Sequence, residues 1–159
     1  MASAQSYEIT LKNNITEKEA MSFLMENDLS FIEPDRESRK AILQHFGLSS
    51  KYMRAFDLIQ VDGHINSEKK FILNPQDKIT LIEIKSTKKK LENNPYGFFF
   101  GATENEFSIA NKLGENYKFC FVCLHPETKS YATLSINQVE DIISNKRIQY
   151  QINLQSKPR

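Results

Sequence analysis

The chain has 159 residues, of which 40% are hydrophobic and 26% are charged, and its formal net charge is +1. This length and balance are typical of one globular domain of ordinary size, so we predict a single domain over residues 1–159. The near-zero charge excludes a global basic field, and nucleic-acid binding must therefore rest on a local patch. No apolar run approaches membrane-spanning length, and no membrane partner is expected.

The first third of the chain, residues 1–55, is predicted to be helical. Thr16 and Glu19 have the spacing of a capping box, in which each side chain bonds the other residue's backbone, and they predict a helix over residues 17–27. A second helix should begin near Pro34, because proline suits the first turn of a helix. Both helices are expected to pack against a sheet that follows them.

Gly47 is predicted to end the second helix, and residues 49–54 are predicted to form a short turn or helix. The stretch 41–54 is similar in outline to a helix-turn-helix, with Lys51 and Arg54 placed to contact backbone phosphates. Its second helix would be very short, so a plain helix end with packing contacts is the favoured interpretation.

Strands are predicted from residue 56 onward. Residues 56–61 are expected to form a first strand, and residues 69–73 a second short one. Residues 79–85 are predicted to be the central strand, because they are apolar and β-branched in most positions. The remaining predicted elements are helix 103–113, strands 117–124 and 131–134, a short helix after Ser135, and strand 147–154. The predicted fold class is α/β, with a mixed central sheet flanked by helices.

Two charged residues, Glu83 and Lys85, stand at the end of the central strand. Successive strand side chains alternate faces, so both point to the same face. Charges in such a strand are costly to desolvate unless they are paired, bound to a metal or exposed. Metal-dependent phosphodiester hydrolysis needs both a carboxylate that holds a hard cation and a group that orients water. This pair can supply both.

A metal site needs a second oxygen donor near Glu83, and three aspartates precede it. Asp77 lies at the far end of the same segment, and Asp62 lies in a predicted turn. Asp57 lies near the start of the preceding strand. If the two strands run antiparallel, the start of one lies opposite the end of the other, so that Asp57 meets Glu83. Topology therefore favours Asp57.

An acid on one strand, followed by Glu-x-Lys on the next, resembles the restriction-endonuclease-like PD-(D/E)xK nuclease superfamily over residues 56–124. The resemblance implies a mixed sheet flanked by helices and a Mg²⁺-dependent endonuclease that cleaves DNA, with Mn²⁺ as a substitute metal. It also implies that Asp57, Glu83 and the backbone carbonyl of Ile84 bind the metal. Lys85 would then position the attacking water.

One position departs from the family's pattern, since Phe56 stands where the motif has a proline before the first acid. Glu19 or Glu26 on the first predicted helix could supply a further outer-shell acid, and the sequence does not choose between them. Residues 125–159 would add C-terminal strands and a helix to this core. The alternative for the charged residues is a cluster of surface salt bridges.

Three consecutive lysines, Lys88, Lys89 and Lys90, follow the central strand and are a candidate contact for a nucleic-acid backbone. A solvated charged turn is an equally good interpretation of such a run. Cys120 and Cys123 lie in one apolar stretch and are predicted to be buried, reduced thiols. Reduced thiols favour a cytoplasmic protein.

The sequence as a whole favours a DNA endonuclease, either a type II restriction endonuclease or a nuclease subunit of a larger system. Cutting both strands of a duplex needs two active sites, so a homodimer or larger nuclease assembly is expected. The first alternative is a non-catalytic nucleic-acid- or protein-binding domain of the same fold. The second is a small α/β interaction protein of unrelated fold, which non-adjacent strands for Asp57 and Glu83 would indicate.

Overall fold

The structure is a computed structural model that describes residues 4–67 and 69–159, with side chains from residue 16 onward. Its helices and strands are, in chain order, α1 (Ala4–Asn27), α2 (Arg36–His45), β1 (Leu58–Val61), β2 (Ile79–Thr87), α3 (Glu104–Leu113), β3 (Tyr117–Cys123), β4 (Ser130–Ser135) and α4 (Ile136–Asp141). Single 3-10 turns at Ser50–Tyr52 and Gly114–Asn116 precede β1 and β3. None of the described helices is long and apolar enough to cross a membrane.

Four strands form one mixed sheet in the order β1-β2-β3-β4. β2 pairs antiparallel with β1 and parallel with β3, and β4 pairs antiparallel with β3. The segment that contains α3 joins the parallel pair, because parallel strands need a crossover connection. The predicted class, an α/β fold whose mixed central sheet is flanked by helices, is confirmed.

The sheet separates two buried layers. The layer under α1, which we call the α1 face, contains Ala20, Leu24, Leu58, Ile82, Ile84, Cys120 and Val122. The opposite layer, which we call the α3 face, packs α2, α3 and α4 onto the sheet and contains Ile42, Ile59, Leu81, Ile109, Phe119 and Val139. Along β2, even-numbered residues therefore point to the α1 face and odd-numbered residues to the α3 face, as strand geometry requires.

Three helix starts follow the predicted sequence signals. The Asp35 carboxylate caps α2 by accepting a backbone N–H at 2.8 Å. α3 begins with a complete capping box between Thr103 and Glu106, and α4 begins with another between Ser135 and Gln138. The two capping boxes are confirmed, because they depend on residues close together in sequence, and α2 begins near Pro34 as predicted, although Pro34 precedes the cap and does not lie in the first turn.

The first helix and the helix-turn-helix outline differ from prediction. The helix expected to begin after Thr16 begins at Ala4, since no proline or glycine interrupts the chain before Thr16. Within residues 41–54, a single 3-10 turn follows α2 where a second helix would stand. Lys51 within that turn and Arg54 just after it are exposed.

The strand predicted over residues 69–73 is wrong. This segment has no ladder with any described strand and is held by separate contacts instead. The Ser38 hydroxyl donates to the Phe71 carbonyl at 3.3 Å, and the Lys70 ammonium lies 3.2 Å from the Asp35 carboxylate. A short run with one inward aromatic can pack in this way without a ladder.

The strand predicted over residues 147–154 is also wrong, because the segment pairs with no described strand and is exposed throughout. An alternating pattern forms a stable strand only where a neighbour supplies backbone partners. Within residues 125–159, the structure therefore describes one strand, β4, and one helix, α4.

Candidate active site

Asp57 and Glu83 are brought together by the pairing of β1 with β2. The strands run antiparallel with Leu58 opposite Ile82, and Asp57, the residue just before β1, lies close enough to Glu83 for its charge to raise the pKa of that acid. The Asp57 N–H also donates to the Ile82 carbonyl at 2.8 Å. Two successive residues of one strand thus meet one residue of the other, as in a β-bulge, which is common beside active sites. The predicted antiparallel adjacency is confirmed.

The Asp57 carboxylate turns back onto the edge of β2. Its Oδ2 accepts a hydrogen bond from the Ile84 N–H at 2.8 Å. Ile84 lies past the last residue of β2 that pairs with β1, so this bond gives its N–H the partner that β1 does not supply. It also keeps the carboxylate next to Glu83, whose pKa the Asp57 charge helps to raise.

Arg39 of α2 holds the backbone that carries Asp57. Its guanidinium donates to the carbonyl oxygens of Phe56 at 2.5 Å, Asp57 at 2.9 Å and Met53 at 3.3 Å. It also lies over the Phe56 ring, 4.8 Å from the centroid. Burial lowers the pKa of Arg39, and the charge of Asp57 opposes that shift. The sequence did not single out Arg39, since its acceptors are backbone atoms that any residue carries.

Glu83 is buried in the α3 face with only 8% of its surface exposed. Its Oε2 has no hydrogen-bond partner among the described residues, and its Oε1 lies 4.0 Å from the Lys85 ammonium. Burial, together with the charges of Asp57 and Glu106, raises the pKa of Glu83 to about 10, while Lys85 opposes the shift. Glu83 therefore carries a proton at neutral pH unless a further positive charge enters the site.

The Lys85 ammonium is held by Glu106, which the sequence pattern identifies only as part of a capping box. The Lys85 Nζ donates to Glu106 Oε1 at 2.5 Å. The other oxygen, Oε2, accepts from the Thr103 N–H at 3.0 Å and from the Thr103 hydroxyl at 2.7 Å. One carboxylate thus both caps α3 and positions the site lysine. An acid at the third position of the helix after Glu-x-Lys was the available signal.

Glu17 is the acid of α1 that interacts with this cluster. Its pKa is raised first by partial burial and then by the charge of Asp57, and the charges of Lys85 and Glu106 also act on it. Glu19 instead lies 3.7 Å from the exposed Lys88. Helix geometry rotates Glu19 by about 200° from Glu17 and places Glu26 about 13 Å further along α1. Glu17 is therefore the acid of α1 on which the charges of the cluster act, and the outer-shell role expected for Glu19 or Glu26 stays a prediction.

The lysine run after β2 is exposed and partly paired. The Lys88 ammonium faces Glu19, and the Lys90 ammonium lies 2.7 Å from Glu127. Lys89 is exposed between them. Exposed pairs of this kind contribute little to stability and exchange readily with water, so they do not prevent contact with a phosphate.

The two cysteines of β3, Cys120 and Cys123, are free and buried, as predicted. Burial raises the pKa of Cys120 to about 12, and the Thr133 hydroxyl donates to its sulfur at 3.8 Å. Cys120 therefore remains a protonated thiol and packs as a small apolar side chain.

The acids of the cluster fit a hard divalent cation. Asp57 and Glu83 offer carboxylate oxygens, and Glu83 Oε2 is buried without a hydrogen bond. Within the part of the chain that the structure describes, no group of three or more His, Cys, Asp or Glu side chains is close enough to hold a metal ion. Mg²⁺ commonly takes one or two protein carboxylates and completes its shell with water and substrate phosphates, so two acids suffice.

Comparison of the chain with protein-family models, with curated proteins and with solved structures found no match in any of the three. The chemistry open to the site follows from its own atoms. These are two adjacent carboxyl groups, an ammonium group held in place and a further acid on α1.

Proposed function

We propose that this chain is a metal-dependent endonuclease that hydrolyses DNA phosphodiester bonds and has the restriction-endonuclease-like fold. The observation that carries the proposal is the proximity of Asp57, just before β1, to Glu83 in the middle of the adjacent antiparallel strand β2, with Lys85 on the same face as Glu83. A buried carboxyl group beside a second, half-buried one is unfavourable without a cation. Its place beside a lysine matches the needs of phosphodiester hydrolysis.

Asp57 and Glu83 would hold the cation, and the Ile84 carbonyl is the third candidate ligand. The N–H and C=O groups of one strand residue point to the same side, and the Ile84 N–H already donates to Asp57. The Ile84 carbonyl therefore faces the same side of β2. A bound Mg²⁺, or Mn²⁺ in its place, supplies Lewis acidity toward the scissile phosphate and lowers the pKa of an attacking water.

The remaining residues orient the reacting groups. Lys85 holds the attacking water and adds positive charge near the phosphate. Glu106 fixes the lysine through the 2.5 Å ion pair, and its second oxygen ties that pair to the start of α3. Glu17, whose pKa is raised by partial burial and by the charge of Asp57, would act as an outer acid on water.

DNA is the proposed partner, and the exposed run from Lys88 to Lys90 supports a backbone contact beside the site. Lys51 and Arg54 are further candidates for phosphate contacts. Cleavage of both strands would use two copies of the chain or a larger assembly, as in a type II restriction endonuclease or a nuclease subunit. The buried free thiols support a cytoplasmic location.

The test is incubation with plasmid, single-stranded and branched DNA in the presence of Mg²⁺ or Mn²⁺. We expect metal-dependent cleavage that falls by about 10²–10³-fold or more in Lys85→Ala, as when a positioned catalytic donor is removed. Lys78→Ala is the matched control, because Lys78 lies on the same segment at the opposite end of β2 and is exposed. Full activity in a folded Lys85→Ala variant would contradict the assignment.

One observation favours a second candidate, a non-catalytic DNA- or protein-binding domain of the same fold. The Lys85 ammonium is already paired with Glu106, and a protonated Glu83 could be a purely structural neighbour. Calorimetric titration with Mg²⁺ or Mn²⁺ separates the two functions. The nuclease requires metal binding that Asp57→Asn weakens, whereas the binding domain predicts no heat of metal binding in either protein.

A further inference from the structure

The C-terminal segment 147–154, here called the tail, has the residue alternation of a β-strand but pairs with no described strand within one copy of the chain. Its apolar residues alternate with neutral polar ones, which places Ile148, Tyr150, Ile152 and Leu154 on one side in an extended conformation. These four side chains are 75–87% exposed. Such a row is typical of a strand with one buried face.

The sheet has one long edge able to receive a strand. β4 forms the edge beside β3, and no described strand pairs with its outer side. The opposite edge, β1, is shorter and is covered at its centre, because Ile32 exchanges two backbone hydrogen bonds with Ile59 at 2.8–2.9 Å. The six residues of β4 extend about 20 Å, and eight tail residues extend about 26 Å, so the lengths are compatible.

We propose that the tail of one copy adds as a strand to the outer edge of β4 in a second copy, and that the exchange is reciprocal. Each copy supplies both an unpaired strand and an unpaired edge, so two copies related by a twofold axis satisfy both needs. The exchange brings eight exposed apolar side chains, four from each tail, into the interface. Backbone hydrogen bonds provide affinity, and the alternating side chains provide register.

Features around the tail favour a closed pair over open-ended stacking. Lys146 and Arg147 precede the apolar row, and Lys157 and Arg159 follow it. Charges that flank a strand disfavour further strand addition because like charges in stacked copies repel. Once both tails are placed, neither copy retains a free tail or a free β4 edge. The inference does not depend on nuclease activity.

The test is the oligomeric state of the full chain, measured by sedimentation velocity over a range of concentrations. We expect wild type to sediment as a dimer of the 18.4 kDa chain. Hydrogen exchange should show protected amides in both the tail and β4, and dilution should remove both protections together. Ile148→Gln combined with Ile152→Gln should raise the dimer dissociation constant by at least about tenfold.

Two further variants keep the test decisive. Tyr150→Pro removes one backbone donor and disfavours strand pairing, and it should also yield monomers. Gln149→Ala with Gln151→Ala alters the opposite side of the same strand and should leave the dimer intact. Because the tail is exposed in one copy, all three variants should retain the helical signal of the wild-type circular dichroism spectrum.

Four outcomes would overturn the proposal. The first is a wild-type monomer at every concentration, and the second is a monomer whose tail amides are protected, which would mean that the tail docks on its own copy. The third is a dimer that is unchanged by Tyr150→Pro and by the paired isoleucine substitutions. The fourth is a tail whose variants weaken DNA binding while the oligomeric state stays the same.

Discussion

The two faces of β2 are buried to nearly the same degree and differ in chemistry. On the α1 face, Ile82 and Ile84 are 0% and 4% exposed and lie among apolar side chains. On the α3 face, the apolar row gives way to Glu83, which is 8% exposed, and then to Lys85. Burial of the isoleucines is favourable by itself, whereas burial of an acid beside other acids is costly. The α1 face therefore stabilises the fold, and the end of the α3 face is where function is expected.

The largest expected change comes from the α1 face. Ile82→Ala should lower the free energy of unfolding by about 2–5 kcal/mol, because it removes buried methyl groups and leaves a cavity. Any loss of cleavage should follow the loss of folded protein. Urea unfolding together with an activity assay at low temperature would check this. A change below about 0.5 kcal/mol would show that this face is not a packed layer.

On the α3 face, the acid is expected to behave in the opposite way. Glu83→Leu should raise the free energy of unfolding by about 1–3 kcal/mol, since it removes a buried oxygen that lacks a hydrogen bond. The same variant should lose metal-dependent cleavage. Ile84→Leu, one residue along and on the other face, is the volume-conserving control. Marked destabilisation by Glu83→Leu would favour a structural salt-bridge cluster instead.

Glu106 allows the contrast between folding and function to be tested within one side chain. Glu106→Gln should preserve the start of α3, because Gln138 forms the same capping box in α4. It should remove the ion pair to Lys85 and lower cleavage by about 10–100-fold, a size typical of residues that orient a functional group. Gln138→Glu is the reciprocal control and should leave cleavage unchanged. Equal activity of Glu106→Gln and wild type would exclude this positioning role.

The dependence of stability on pH is the most gradual expected effect, because it is spread over several pH units. The pKa of Glu83 is about 10 in the folded protein and near 4.5 in the unfolded chain, so the folded state retains an extra proton between these values. This contribution to stability is fully present below about pH 4.5 and is lost as the pH rises toward 10. The slope contributed by one proton is at most about 1.4 kcal/mol per pH unit. Urea midpoints from neutral to alkaline pH should fall less steeply for Glu83→Leu.

The features predicted from sequence are those that depend on near neighbours in the chain. The capping boxes of α3 and α4 involve residues three positions apart. The adjacency of Asp57 and Glu83 followed from alternation and strand direction, which are also local rules. Residues 69–73 and 147–154 follow the same alternation without forming strands, because a strand also needs a partner that local sequence does not specify.

Three site residues were missed in the sequence for related reasons. Arg39 binds backbone carbonyl groups, and because every residue carries one, the types of the acceptor residues do not indicate this contact. Glu106 was explained sufficiently as a helix cap, so its second oxygen had no assigned partner. Glu17 depends on the rotation of α1 about its axis, which is set by packing against the sheet. Each of these positions required tertiary structure.

The hydrogen bonds of Arg39 have a consequence for the order in which the molecule can assemble. Its acceptors at Met53, Phe56 and Asp57 lie only 14, 17 and 18 residues further along the chain. The entropy lost on closing a loop grows with its length, so these contacts are less costly to form than those that join distant segments. The Ile84 N–H reaches Asp57 across 27 residues and therefore closes a longer loop. Arg39 can thus fix the backbone at Asp57 by closing short loops before β2 packs beside it.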